Sequence, residues 1–188
     1  MAYKAETLEL LSEETAIGAA REMLTHTKRE FGFIPNMYAA MANQPALLAA
    51  YRQSYAAFRA EAGFTPAEQE VLFVTISREN GCRYCVAAHS LVADAMSNVP
   101  PAVTNAIRDR APIPDAKLAA LSQFAVRMIE TRGQPSDADA RAFLAAGYAE
   151  RHIMGVILAI SVKTLSNFTN HLFDTPLDAA FASRTWEG

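Results

Sequence analysis

Cys82, Cys85, His89 and Glu70 are the residues of this chain whose types and spacing suit covalent chemistry. Cys82 and Cys85 are its only 2 cysteines. His89 stands four positions after the second, and Glu70 twelve before the first. On a helix, Cys82, Cys85 and His89 fall at i, i+3 and i+7, so their side chains share one stripe. A thiol in a helix's first turn feels the positive end of the macrodipole and unpaired N–H groups, which favour thiolate. A histidine one turn beyond Cys85 can take its proton, and a second thiol nearby resolves an oxidised first one. The pattern points to redox thiol chemistry.

Two other readings use the same residues. Free cysteines are often small buried hydrophobes. Two thiolates, an imidazole and the Glu70 carboxylate would also make four zinc ligands. Three ligands on one helix stripe strain tetrahedral coordination, and structural zinc sites usually gather ligands from separate segments. No metal site is therefore expected.

The elements that must hold these residues are written locally. Thr65-Pro66-Ala67-Glu68 reads as a capping box with proline at the first helical position. The helix it opens carries Val71, Leu72, Phe73, Val74 and Ile76, which makes it apolar nearly all round and buried. Glu70 lies on that helix, where a carboxylate needs a partner such as a histidine. Asn80-Gly81 ends the helix, and the next begins at or just after Cys82. Tyr84 is read as packing. Asn167, Asn170 and His171 are candidates to line the site from the second half of the chain, and equally to be capping or interface residues.

The rest of the chain also reads as helix. Ser12 caps the acidic first turn (Glu13, Glu14) of a helix reaching Gly32, and Ile34-Pro35-Asn36 is a turn. Pro45 opens a long helix closed by Gly63, and Asn98-Val99-Pro100-Pro101 leads into a short one ending near Arg108. Further helices run from Asp115 to about Arg132, after Ser136, and from about Ala149. No segment alternates as a strand would. The methionines Met23, Met37, Met41, Met96, Met128 and Met154 read as core filler.

Composition bounds the function. With 51% hydrophobic and 20% charged residues the chain can bury a core. A net charge of −3 and no basic run argue against nucleic-acid binding. The start, MAYKAETLELLSEE, has no apolar run after a basic stretch, and no apolar stretch is read as spanning a membrane. A soluble cytoplasmic protein is expected. A weak internal echo at a shift of 84 residues lays Cys82 on Ser166 and Cys85 on Thr169. A second half repeating the motif with hydroxyls cannot do redox chemistry, and reads as scaffold.

A glutamate in a buried helix, a short break, then Cys-x-x-Cys-x-x-x-His opening the next helix resembles the core motif of the AhpD-like alkylhydroperoxidases. These lie within the carboxymuconolactone decarboxylase-like superfamily. Glu70, Cys82, Cys85 and His89 match it. FGFIPNMYAAMANQPALLAAYRQ (Phe31 to Gln53) and KTLSNFTNHLFDTPLD (Lys163 to Asp178) are similar to segments of its peroxidase-related branch. One departure is Tyr84, where some members carry a histidine between the cysteines; their proton relay does not carry over whole.

The resemblance implies an all-α, AhpD-like helical bundle with two pseudo-repeated halves. It would be a single domain over 1–188, with an active half at about 31–110 and a degenerate half at about 115–175. The implied activity is a thiol peroxidase. Cys85 is assigned as the thiol that attacks a hydroperoxide, because His89 stands one turn away, and Cys82, expected to be the more exposed at the helix start, resolves the product to a disulfide. Glu70 and His89 would serve as the relay. No haem, flavin or metal cofactor is required. The implied partners are a hydroperoxide, a dithiol donor (a lipoyl protein or a thioredoxin-like one) and further copies of the chain. Two alternatives stay open: a redox-sensing or disulfide-exchange module, and a carboxymuconolactone-decarboxylase-like enzyme. Members of that decarboxylase branch generally lack the cysteine pair.

Overall fold

Helix α4 (Pro66–Glu79) is buried along almost its whole length, and four of the later helices pack around it. The computed structural model describes residues 2–188. Three helices precede α4: α1 (Gly18–Phe31), α2 (Asn36–Met41) and α3 (Pro45–Glu61). Five follow: α5 (Arg83–Ala95), α6 (Pro101–Arg108), α7 (Ala116–Glu130), α8 (Asp137–Ala145) and α9 (Glu150–Phe173). A 3-10 helix, Ala179–Arg184, comes last, and no strand occurs among the described residues.

The capping box at the start of α4 is formed as its sequence prescribes. The Thr65 hydroxyl accepts from the Glu68 N–H, and the Glu68 carboxylate accepts from the Thr65 N–H at 2.8 Å. From Val71 to Ser77 every side chain is buried, against α5, α6, α7 and α9. Phe73 is the aromatic centre, with ring centroids 4.7 Å from Phe58 and 5.6 Å from Tyr55 on α3. Phe124, Phe143 and Tyr148 stack in a second cluster at 4.3 and 4.5 Å. Burying rings of this size is the main contribution to holding the layers together.

The polar side chains near the start of α4 are paired. Glu68 takes Lys117 at 2.8 Å and the Tyr148 hydroxyl at 3.1 Å. Gln69 donates to the carbonyls of Arg59 and Phe64. The helix ends at Asn80, and Gly81 takes a left-handed φ of 69° to redirect the chain into α5.

The structure departs from the sequence reading in four places. Helix α1 begins at Gly18 rather than at Ser12. The Ser12 hydroxyl instead accepts from the N–H groups of Glu14 and Thr15 in an isolated turn, and Gly18 breaks helical continuity at φ 53°. Helix α2 and the 3-10 helix were not anticipated, because short helices carry too little periodicity to declare themselves. Met37, Met41 and Met128 are core residues, whereas Met96 and Met154 are 75% and 66% exposed. Finally, α9 is long and apolar enough to span a membrane by length and composition. Here one face of α9 packs on α2, α3 and α4.

Candidate active site

Cys82 is the N-cap of α5 and Cys85 lies in its first turn. Their sulfurs are 3.6 Å apart as free thiols. Each is closed off from solvent, Cys82 at 1% and Cys85 at 2% exposure. Cys82 is thus no more exposed than Cys85, because the segment following α9 and the Thr185–Glu187 stretch wall in the start of α5. A cavity of about 600 Å³ opens there, with Cys82, Tyr84, Asn170, Leu177 and Trp186 in its lining. Cys85 lies behind Cys82, outside that lining.

His89 and Glu70 meet as the sequence suggested. His89 Nδ1 stands 2.8 Å from a Glu70 carboxylate oxygen, and the other oxygen is bound by the Arg59 guanidinium. Glu70 is fully buried. Burial pushes its carboxyl up, but the bonds and charges of His89 and Arg59 outweigh that and hold it below the ordinary range. An ionised carboxylate only accepts, so His89 Nδ1 carries the proton and Nε2 keeps a lone pair. Burial, then the charge of Lys163, lower the imidazole's pKa despite Glu70, so His89 is neutral at physiological pH. A neutral imidazole with a fixed tautomer is a base.

The two thiols are driven apart in acidity. Burial pushes Cys85 up, but a hydrogen bond from the Cys82 thiol, the charge of Lys163 and the Ser166 hydroxyl together bring it well below an ordinary thiol. Cys82 is raised, by its hydrogen bond to Cys85, by burial and by the Cys85 charge. The helix-start dipole favours Cys82, yet these local groups reverse that preference.

Helix α9 supplies a third side of the site. Asn170 Nδ2 donates to Cys85 Sγ at 3.3 Å and approaches Cys82 Sγ at 3.7 Å. Asn167 bonds to Asn80, fixing the break between α4 and α5, and His171 lies on the cavity rim. The helix read as scaffold therefore touches both sulfurs. Tyr84 packs edge-on to Phe181 with centroids 5.8 Å apart, and its hydroxyl donates to Asp178. Among the described residues no three His, Cys, Asp or Glu side chains gather as a metal-holding set; His89 Nδ1 is already taken by Glu70.

Arg59, Lys163 and the sulfur-binding role of Asn170 escaped the sequence reading. Arg59 lies on a helix with other charges, where nothing marks it. Lys163 does carry a signal, as the one Asp, Glu, Lys or Arg between Arg151 and Asp174, in an otherwise apolar helix.

No family model matches the sequence, and no curated protein matches it either. Solved structures do match. An uncharacterized peroxidase-related protein from Ralstonia eutropha JMP134, an alkylhydroperoxidase AhpD core, superposes with a TM-score of 0.79 at 21% identity. The match covers 93% of each chain. An uncharacterized peroxidase-related protein from Silicibacter sp. TM1040 gives 0.78 at 20% identity over 98% of both chains. A variant of the debrominase Bmp8, in complex with 2,3,4-tribromopyrrole, gives 0.77 at 16% identity over 97% of both. At such identities the likeness speaks to architecture, and the architecture of this chain is the all-α AhpD-like fold.

Proposed function

We propose that this chain is a thiol-dependent peroxidase acting on hydroperoxides. The observation that carries the reading is a pair of thiols 3.6 Å apart, of which Cys85 is the acidic one, in a site with a neutral histidine oriented by a buried carboxylate.

His89 relays the Cys85 proton to solvent and returns to the neutral form, and the thiolate attacks the terminal oxygen of ROOH. An S–O bond forms, the O–O bond breaks, and the leaving alkoxide takes up a proton delivered back through His89, leaving as ROH. Cys82 then attacks the sulfenic sulfur; the S–S bond forms and water leaves with the Cys82 proton. A dithiol donor returns two electrons and two protons. Closing the disulfide needs the sulfurs to approach by about 1.5 Å, which side-chain rotation supplies.

Peroxide consumption by the reduced protein, with cumene hydroperoxide and with dihydrolipoamide or thioredoxin as donor, tests the proposal. Turnover well above that of free cysteine supports it; a rate equal to free cysteine overturns it.

A second reading is thiol-driven debromination: an aryl bromide and two thiols giving arene, disulfide and hydrogen bromide. Two observations favour it, the cavity with Cys82 in its wall and the fold shared with a debrominase. Bromide release from 2,3,4-tribromopyrrole, without peroxide turnover, would select it.

A further inference from the structure

Lys163 is a fully buried lysine whose Nζ meets no hydrogen-bond acceptor among the described residues. It sits on α9, one turn before Ser166 and two before Asn170, on the stripe that faces the cysteine pair. Its ammonium lies 5.3 Å from the centroid of Phe73, the same ring that packs 4.8 Å from His89. A buried charge is retained only with a partner. The buried carboxylates are already engaged: Glu70 by Arg59 and His89, Glu68 by Lys117 and Tyr148. What remains to balance Lys163 is a thiolate. With Cys85 ionised, the set Arg59, Glu70, Lys163 and Cys85 sums to zero; with Cys85 protonated it carries one uncompensated positive charge.

We propose that Lys163 is a positioning residue that supplies the counter-charge for the Cys85 thiolate and thereby sets the reactivity and redox poise of the pair. The other titratable groups facing Cys85 do not fill that role. His89 is neutral, Cys82 gives only its S–H, and burial raises Tyr51 and Tyr84 so that both stay protonated. Lys163 acts on both partners in the direction the site needs, favouring thiolate at Cys85 and the neutral base at His89. Forming the disulfide removes the anion and leaves the ammonium unbalanced, so Lys163 also favours the reduced dithiol.

The inference rests on Cys85 being the acidic thiol, and the test separates the two claims. The reduced wild-type protein and Lys163→Met are titrated by ultraviolet thiolate absorbance and by iodoacetamide alkylation against pH, with thermal unfolding as the control for folding. Methionine is close to lysine in volume and removes a buried charge, so the variant is expected to fold at least as stably. The first thiolate midpoint should rise by about one unit or more, a tenfold loss of thiolate at any pH below the wild-type midpoint. Tenfold in that equilibrium corresponds to a reduction potential lower by about 30 mV. Peroxide consumption measured below the wild-type midpoint should fall about tenfold and recover above the new midpoint. A wild type with no depressed midpoint defeats the acidic-thiol reading itself. A depressed midpoint that Lys163→Met leaves unchanged defeats only the role of Lys163. If Lys163→Met and Lys163→Gln both fail to fold, the lysine is a packing element and the proposal is overturned.

Discussion

Replacing Glu70 by glutamine should reveal whether its charge, rather than its shape, holds the site. The substitution keeps volume and one carbonyl acceptor but removes a fully buried negative charge between Arg59 and His89. Breaking a buried ion pair costs about 3–5 kcal/mol. The Arg59 side chain keeps 23% exposure to water, which places the cost near the lower end, about 3 kcal/mol. For a domain of this size that lowers Tm by roughly 6–12 °C. The sign of the pH dependence follows from the lowered pKa of Glu70, whose ordinary value is 4.5. Its stabilisation is present above that value and is lost as pH falls through the folded-state pKa. Glutamine does not titrate. The gap between wild type and variant should therefore be full at neutral pH and narrow progressively below about pH 4.5. Paired thermal melts from neutral to acid pH measure it directly. A gap that stays constant across that range, or a variant as stable as wild type at neutral pH, would refute the reasoning. In the same protein the glutamine amide can present N–H to His89, shifting its tautomer and removing the Nε2 lone pair. Peroxide consumption should then drop about a hundredfold.

Three further outcomes are expected. Cys85→Ser should abolish peroxide consumption, whereas Cys82→Ser should consume about one equivalent and trap a sulfenic acid that dimedone labels; label on Cys82 in the Cys85→Ser protein would reverse the roles. Met154, Ile157, Phe168 and Leu172 form an exposed apolar stripe along one face of α9, so the chain should self-associate. Sedimentation at micromolar concentration checks this, Phe168→Glu should weaken it, and a monomeric wild type would contradict it. Gly155→Ala should destabilise despite alanine's better helix propensity, because the new Cβ would lie 2.8 Å from the Phe64 ring and 3.0 Å from the Ala62 carbonyl oxygen; a Tm at or above wild type would show that the contact relaxes without cost.

What was legible in the sequence was what is decided locally. The Thr65 cap, the Asn80-Gly81 break and the stripe of Cys82, Cys85 and His89 depend on residues within a turn or two of one another. Each is found where its spacing placed it. Glu70 was legible because it matches the motif and because a carboxylate on a helix apolar nearly all round demands a partner. Its second partner was not, since Arg59 reaches Glu70 only through the packing of α3 on α4. Asn170 was legible as a candidate to line the site, but not its bond to a sulfur 85 positions away in the chain. Ser12 misled because a serine that caps an isolated turn and one that caps a helix read alike.

The placement of both cysteines within one opening turn of α5 has a consequence for folding as well as chemistry. A covalent link between positions 82 and 85 closes a ring of only four residues. In the chain-entropy picture such a ring withdraws about 2 kcal/mol of freedom from the unfolded chain, against about 4.7 for a hundred-residue loop. Nearly all of the molecule's topology lies outside the ring, so oxidation staples no helix to another, and reduction releases none. In the proposed cycle the chain-entropy difference in global stability between the two redox states is thus held to about 2 kcal/mol. The work of each such cycle is confined to a few bond rotations at the start of one helix.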